Sequence, residues 1–95
     1  MVSKVLITPS AFKTNFVYKN LKKYKKIKFI YKKGPIVDKK LLIKSLKNCD
    51  SAIIGSEIID KEVIDECKKI RSLIRFGTSI ENIDLKICKT RKIKI

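Results

Sequence analysis

Short apolar runs alternate along this chain with longer stretches in which apolar residues recur every three or four positions. The short runs are rich in β-branched residues and are bounded by Gly, Pro or Asp, which predicts strands. The predicted strands cover residues 4–8, 26–31, 50–55 and 71–76, and a fifth begins at residue 93. The third contains the uninterrupted run A-I-I, which is typical of a strand buried on both faces of a sheet.

The longer stretches predict helices between the strands. Their apolar faces are formed by Phe16, Val17, Leu21 and Tyr24 in the first, by Leu41, Leu42, Ser45 and Leu46 in the second, and by Val63, Ile64 and Cys67 in the third, while the fourth spans residues 84–91. The expected N-caps are Ser10 or Thr14, then Asp38, then Asp60.

Strands and helices therefore alternate from one end of the chain to the other. Regular alternation with short connections predicts a parallel sheet joined by right-handed crossovers. A length of 95 residues predicts one domain with a modest core. Several doubly wound strand orders are compatible with the alternation alone.

The most informative segment follows the fourth strand, where residues 75–84 read R-F-G-T-S-I-E-N-I-D. A strand, a glycine-containing turn and a helix start succeed one another without a gap. Such a turn presents main-chain N–H groups at the carboxyl edge of a parallel sheet, which is where α/β folds bind small anions.

This segment resembles the G-V-G-x-D-N-[IV]-D motif of the D-isomer-specific 2-hydroxyacid dehydrogenases, the family that includes D-3-phosphoglycerate dehydrogenase. Residues 50–64 are similar to a second family stretch, DAVIVGxExIxxEVL, and residues 70–95 to LKVIxRxGVGxDNIDLxAAKxRGIxV. The resemblance covers nearly the whole chain. It implies a flavodoxin-like α/β sandwich in which residues 1–95 form one substrate-binding domain. About five parallel strands, in the order 2-1-3-4-5, would carry helices on both faces.

The resemblance also implies a site for the carboxylate of a 2-hydroxy or 2-oxo acid. By position, Thr78 and Ser79 would donate main-chain amides to that carboxylate, and Gly77 would permit the turn. Gly55 and Ser56 would line the opposite side of the cleft. The other interpretation of Gly77 is an ordinary turn residue in the left-handed region.

Arg75 lies where some family members use a basic residue near a substrate phosphate or carboxylate. The alternative is a surface cation at a strand end. Glu81, Asn82 and Asp84 are expected to cap and brace the loop and the helix that follows it, and to take no part in the chemistry.

Three positions depart from the family pattern. Ser79 replaces the second loop glycine, and Glu81 replaces an aspartate one methylene shorter. Lys92 occupies the place of the glycine that ends the last helix, where a left-handed conformation would strain a lysine.

Hydride transfer in this family requires an NAD-binding Rossmann domain together with an Arg, an acidic residue and a catalytic His. This chain has no histidine, and its three glycines, Gly34, Gly55 and Gly77, lie too far apart in sequence to form a G-x-G-x-x-G loop. We expect no catalytic, cofactor-binding or metal-binding residue in it, and no dehydrogenase activity from these residues alone. NAD is implied for the full-length enzyme, bound by a missing or separate domain.

The net charge of +15 suggests a second interpretation, a basic module that binds RNA or another polyanion. Its best candidate is the lysine-rich region 19–33, where Tyr18, Tyr24, Phe29 and Tyr31 interleave with lysines. Against it, only three of the 24 basic residues are arginine, the side chain suited to bidentate recognition.

Cys49, Cys67 and Cys88 are too few and too widely spaced for a disulfide framework or a zinc site. We expect reduced thiols that fill core space, as in a cytoplasmic protein. The sequence shows no signal peptide and no apolar run long enough to span a membrane.

Overall fold

Four parallel strands form one sheet, in the order β2-β1-β3-β4, in a computed structural model that describes residues 3–9, 23–77 and 80–95. The strands are β1 (Ser3–Ile7), β2 (Ile27–Tyr31), β3 (Ser51–Ile54) and β4 (Ser72–Arg75). Val5 of β1 lies opposite Phe29 of β2 and Ser51 of β3. The predicted order is confirmed for these four strands.

The fifth predicted strand is reduced to a single bridge between Ser72 and Lys94. The amide of Leu73 donates to the Lys94 carbonyl at 2.8 Å, and the Lys94 amide donates to the Arg71 carbonyl at 2.9 Å. Lys94 therefore lies beside β4, at the place that the order 2-1-3-4-5 gives to a fifth strand, but pairing does not extend to a second residue.

The described residues form three helices, each after a strand: α1 (Lys39–Leu46), α2 (Lys61–Glu66) and α3 (Leu85–Thr90). Each helix begins after an aspartate whose side chain accepts a hydrogen bond from a main-chain amide of the first turn. The Lys40 amide donates to Asp38 at 3.0 Å, the Val63 amide to Asp60 at 3.1 Å and the Ile87 amide to Asp84 at 3.1 Å. The caps at Asp38 and Asp60 are confirmed. The predicted first helix, with Phe16, Val17, Leu21 and its caps Ser10 or Thr14, falls outside the described residues.

The core lies between the sheet and these helices. The connections from β2 to β3 and from β3 to β4 cross the sheet in the same direction. Right-handed crossovers therefore place α1 and α2 on the same face of the sheet. On that face α2 packs against both α1 and α3. Buried side chains of the sheet meet buried side chains of the helices there: Leu6, Ala52, Ile54, Leu73, Leu42, Leu46, Val63, Ile64 and Cys88. Val63, Ile64 and Cys67 point inward as predicted.

The prediction of an inward-facing apolar side chain is wrong for two residues, Leu41 and Tyr24. Leu41 is 52% exposed, whereas Ile43 is partly buried and packs against the core. At 3.6 residues per turn, Ile43 lies about 80° from the centre of the stripe set by Leu42 and Leu46, and Leu41 about 120° away. Tyr24, assigned to the first helix, lies instead before β2 and is 58% exposed.

The end of α3 has the hydrogen bonds of a Schellman motif. The amide of Lys92 donates to the Lys89 carbonyl at 3.1 Å, and the amide of Ile93 donates to the Cys88 carbonyl at 2.8 Å. Lys92 has a φ of 58°, so it takes the left-handed conformation that the family's glycine would take. For a residue with a side chain this conformation costs about 1–2 kcal/mol.

The three cysteines are buried and unpaired, so their interpretation as core thiols is confirmed. Burial raises the pKa of Cys67 to about 11, and the pKa values of Cys49 and Cys88 are raised for the same reason. No helix in the described part of the chain is long and apolar enough to cross a membrane.

β2 is an edge strand, because β1 is its only partner in the sheet that the described residues form. Lys26, Lys28 and Lys32 are exposed along or beside this edge.

Candidate functional site

A cleft of about 250 Å³ opens at the carboxyl edge of the sheet. Its walls come from the ends of three strands and from the segment after β2: Thr8, Pro9, Gly34, Pro35, Gly55, Ser56, Glu57 and Phe76. In parallel sheets, ligands bind at this edge because the loops that follow the strands converge there. Two predicted site residues, Gly55 and Ser56, therefore lie in one wall of a cleft at the expected edge.

Sequence reasoning missed Glu57, which is 2% exposed and lies at the base of this cleft. Its Oε1 accepts hydrogen bonds from the Thr8 hydroxyl at 2.8 Å and from the Gly55 amide at 2.8 Å. Its Oε2 accepts from the Ile36 amide at 2.8 Å. A buried charged side chain is rarely tolerated unless it is paired or hydrogen-bonded, and Glu57 meets that condition with three donors.

Asn82 joins the loop after β3 to the loop after β4. Its Nδ2 donates to the Gly55 carbonyl at 3.0 Å and to the Glu57 carbonyl at 2.7 Å, and its Oδ1 accepts from Arg75 Nε at 3.0 Å. The prediction that Asn82 braces the loop is confirmed. Its partners lie 25 and 27 residues away in the third-strand loop, so the brace reaches beyond its own turn.

The guanidinium of Arg75 is engaged by the turn itself. It donates from Nε to Asn82 at 3.0 Å and from Nη1 to the Phe76 carbonyl. Arg75 is not among the residues that line the cleft. Arg75 therefore lies outside this cleft lining, and its contact with a substrate phosphate or carboxylate stays a prediction.

Gly77 has a φ of 149°, a conformation that side chains strongly disfavour. A Cβ at this position would also lie 2.8 Å from Cζ of Arg75 and 3.0 Å from its Nη2. The guanidinium is the end of a flexible side chain and can move aside, so the backbone conformation is the reason that glycine is required here. Thr78 and Ser79 lie outside the described residues.

A second groove of about 300 Å³ adjoins the cleft and shares Pro35, Ser56 and Glu57 with it. At one end Lys39 forms an ion pair with Asp60 at 2.6 Å. The hydrogen bond from Lys39 is the main cause that lowers the pKa of the Asp60 carboxyl, and the same bond raises the pKa of Lys39. This pair joins α1 to the start of α2.

Within the described ranges, no three His, Cys, Asp or Glu side chains are grouped so that they could hold a metal ion.

Comparison with known proteins identifies the family. The profile of the "D-isomer specific 2-hydroxyacid dehydrogenase, catalytic domain" family matches residues 6–95. The chain belongs to this family. The match confirms the resemblance seen in the sequence.

Individual members of the dehydrogenase family agree with this assignment. In Staphylococcus aureus (strain USA300), a protein named as a 2-hydroxyacid dehydrogenase is 33% identical over 67 residues, which are 70% of this chain and 21% of that protein. The chain thus spans about a fifth of the length of that relative.

Solved structures of dehydrogenases share the fold. The NAD+-bound 3-phosphoglycerate dehydrogenase of Entamoeba histolytica has a TM-score of 0.79 and 23% identity, covering 98% of this chain and 32% of that one. An acyclic imino acid reductase in complex with NADPH and D-Arg has a TM-score of 0.75 and 24% identity, covering 95% of this chain and 29% of that one. At these identities the likeness shows the α/β fold of the dehydrogenase domain.

Proposed function

We propose that this chain is the substrate-binding domain of an NAD-dependent, phosphoglycerate dehydrogenase-like D-2-hydroxyacid dehydrogenase. It binds the carboxylate of a 2-hydroxy or 2-oxo acid through main-chain amides of Thr78 and Ser79. Gly77 permits the turn, and Gly55 and Ser56 lie on the opposite wall. The observation that carries the proposal is the cleft at the carboxyl edge of the sheet, to which the ends of β1, β3 and β4 all contribute.

The chemistry of the cleft favours recognition by main-chain donors. Among the described residues that line it, only Glu57 has a charged side chain, and that carboxylate already accepts three hydrogen bonds. Attraction of an acid must therefore come from N–H groups, aided by the net charge of +15. A one-sided cleft offers few contacts, so we expect a dissociation constant of about 1 mM.

Hydride transfer needs groups that this sequence does not contain. The given sequence has no histidine, so the proton at the substrate hydroxyl must be handled by a residue supplied elsewhere. We propose that NAD binds to a separate nucleotide domain and that the reaction occurs where that domain closes over the cleft. The role of this chain is to bind and orient the acid. A cytoplasmic location is also proposed, since three buried, reduced thiols suit that compartment.

The test is an NMR titration of the uniformly ¹⁵N-labelled chain with pyruvate and with 3-phosphohydroxypyruvate. We expect saturable shifts at the amides of residues 55–56 and 77–79, and none with ethyl pyruvate, which lacks the free carboxylate. Gly77→Ala should abolish these shifts, because a residue with a Cβ is strained at a φ of 149° and the turn would have to change. A matched control is Ala52→Gly, which removes a Cβ from the middle of β3, outside the cleft lining.

Two results would contradict the proposal. One is the absence of any site-specific shift with both acids at 20-fold the expected dissociation constant. The other is a pattern spread over the lysines of region 19–33 that disappears at high salt, which would favour the polyanion-binding alternative.

A further inference from the structure

We propose that Glu57 is a positioning residue that sets the spacing of the cleft walls and, through it, the affinity of the cleft for a carboxylate. The inference rests on the proposed function. Glu57 contributes its backbone and its buried carboxylate to the base of the cleft, and it acts through the segments that it holds.

The two carboxylate oxygens of Glu57 join three separate segments of the chain. The Thr8 hydroxyl comes from the end of β1, the Ile36 amide from the segment between β2 and α1, and the Gly55 amide from the end of β3. All three donor–acceptor distances are 2.8 Å. The residues next to these donors, Pro9, Pro35 and Ser56, form walls of the cleft. One side chain therefore fixes three walls relative to one another.

Contacts around Glu57 leave it little freedom to move. A Cβ added to Gly34 would lie 2.6 Å from Glu57 Oε2 and 2.9 Å from the Thr8 Cβ, so the backbone of Gly34 packs directly on the carboxylate. The main-chain carbonyl of Glu57 accepts from Asn82 Nδ2 at 2.7 Å. Through Asn82 the loop after β4, which carries the proposed carboxylate-binding turn, is tied to the same residue.

The position of the Glu57 side chain suits a carboxylate because each of its two oxygens faces a main-chain amide, from Gly55 or from Ile36, that can only donate. An amide of the same shape would have to turn its NH₂ group toward either the Ile36 amide or the pair formed by Thr8 and Gly55. In each orientation a buried donor faces another donor and loses its partner. Glu57→Gln preserves the volume of the side chain and removes this complementarity.

The test measures cleft shape and acid binding separately, on the complete chain. In Glu57→Gln we expect the amide resonances of residues 8, 36 and 55 to move while those of Ser3–Ile7 and Ile27–Tyr31 stay in place. In the same variant the dissociation constant for pyruvate should rise about tenfold, measured where the protein remains folded. Glu66→Gln, a matched change on the exposed end of α2, should alter neither.

The outcomes distinguish this proposal from the proposed function. If the unmodified chain binds no acid, the proposed function fails, and Glu57 is judged by the amide resonances alone: shifts confined to the three segments support it, and unchanged resonances overturn it. If the unmodified chain binds pyruvate and folded Glu57→Gln binds it equally well, Glu57 serves only stability and the proposal is overturned.

A milder variant covers the case in which Glu57→Gln does not fold. Thr8→Val removes one of the three donors with little change in volume. We expect the Gly55 amide resonance to move, because its acceptor loses its other donor, and pyruvate binding to weaken by about threefold. An unchanged Gly55 resonance together with unchanged binding would overturn the proposal.

Discussion

Removing the side chain of Asn82 should uncouple the third-strand loop from the fourth-strand loop. Asn82→Ala deletes three hydrogen bonds, two to the carbonyls of Gly55 and Glu57 and one from Arg75. A hydrogen bond of this kind contributes about 0.5–1.5 kcal/mol net. Asn82 is half-buried, so water can replace part of what is lost. We therefore expect the free energy of unfolding to fall by about 2 kcal/mol.

Urea unfolding followed by circular dichroism measures this loss directly. For a chain of this size, about 2 kcal/mol corresponds to a decrease in Tm of roughly 8–16 °C. Asn48→Ala, at an exposed position just after α1, is the matched control and should change the free energy by less than about 0.5 kcal/mol.

A second substitution separates hydrogen-bond direction from the mere presence of a polar group. Asn82→Asp keeps an acceptor for Arg75 and gives it a charge, but it turns an oxygen toward the carbonyls of Gly55 and Glu57. We expect it to be at least as destabilising as Asn82→Ala at pH 7, despite the new ion pair. Stability equal to that of the unmodified chain, in either variant, would refute the reasoning about the brace.

Three further predictions concern backbone strain and ionisation. Lys92→Gly should stabilise the protein by about 0.5–1 kcal/mol in urea unfolding, because φ at 58° costs a lysine more than a glycine. Asp60→Asn keeps an N-cap but loses the charge paired with Lys39. The pKa of Asp60 in the folded protein lies below its ordinary 3.8. The stability that the aspartate adds over the variant should therefore be fully present above pH 3.8 and lost as pH falls through the pKa of the folded state. Cys67, with a pKa raised from 9.0 to about 11, should contribute up to about 3 kcal/mol of stability that is present below pH 9.0 and lost as pH rises through 11.

Each of these has its own check. Lys89→Gly, inside α3, should destabilise by about 1 kcal/mol, and a similar loss in Lys92→Gly would show that position 92 is not strained. For Asp60→Asn, the free energies of unfolding of the variant and the unmodified chain are compared at pH 7 and below pH 3.8. A difference that stays constant between these pH values would contradict a stabilising ion pair with Lys39. For Cys67→Ala, the free energies of unfolding of the variant and the unmodified chain are compared at pH 8 and pH 10.5. An equal loss of stability in both proteins would show that the Cys67 thiol does not cause the loss.

Local signals predicted the helix starts. Asp38 and Asp60 bond to amides two and three residues away, so the cap and the helix that it begins lie within one short window of sequence. The strand order required more, because alternation leaves several orders open, and the family resemblance supplied the choice. Tyr24 and Leu41 were misassigned because helical spacing alone does not place the end or the centre of an apolar stripe.

The base of the cleft could not be predicted in this way. Glu57 is a charged residue in a turn, and its donors Thr8 and Ile36 lie 49 and 21 residues away. Two signals were available: the similar family stretch DAVIVGxExIxxEVL has glutamate at this position, and the residue lies between two apolar pairs, Ile53 and Ile54 before it and Ile58 and Ile59 after it. Ile54 and Ile59 of these pairs are buried, and a charge so close to two buried residues is a reason to look for buried partners. Naming those partners requires the folded sheet.

The lysines beside β2 bear on how copies of this protein behave toward each other. An exposed strand edge offers unpaired N–H and C=O groups to any second strand, and exposed lysine is one means of preventing that contact. If two β2 edges approached, Lys26, Lys28 and Lys32 of each copy would meet like charges. Salt shortens the range of that repulsion to about 3 Å at 1 M. We therefore expect added salt to favour association between copies through the open β2 edge.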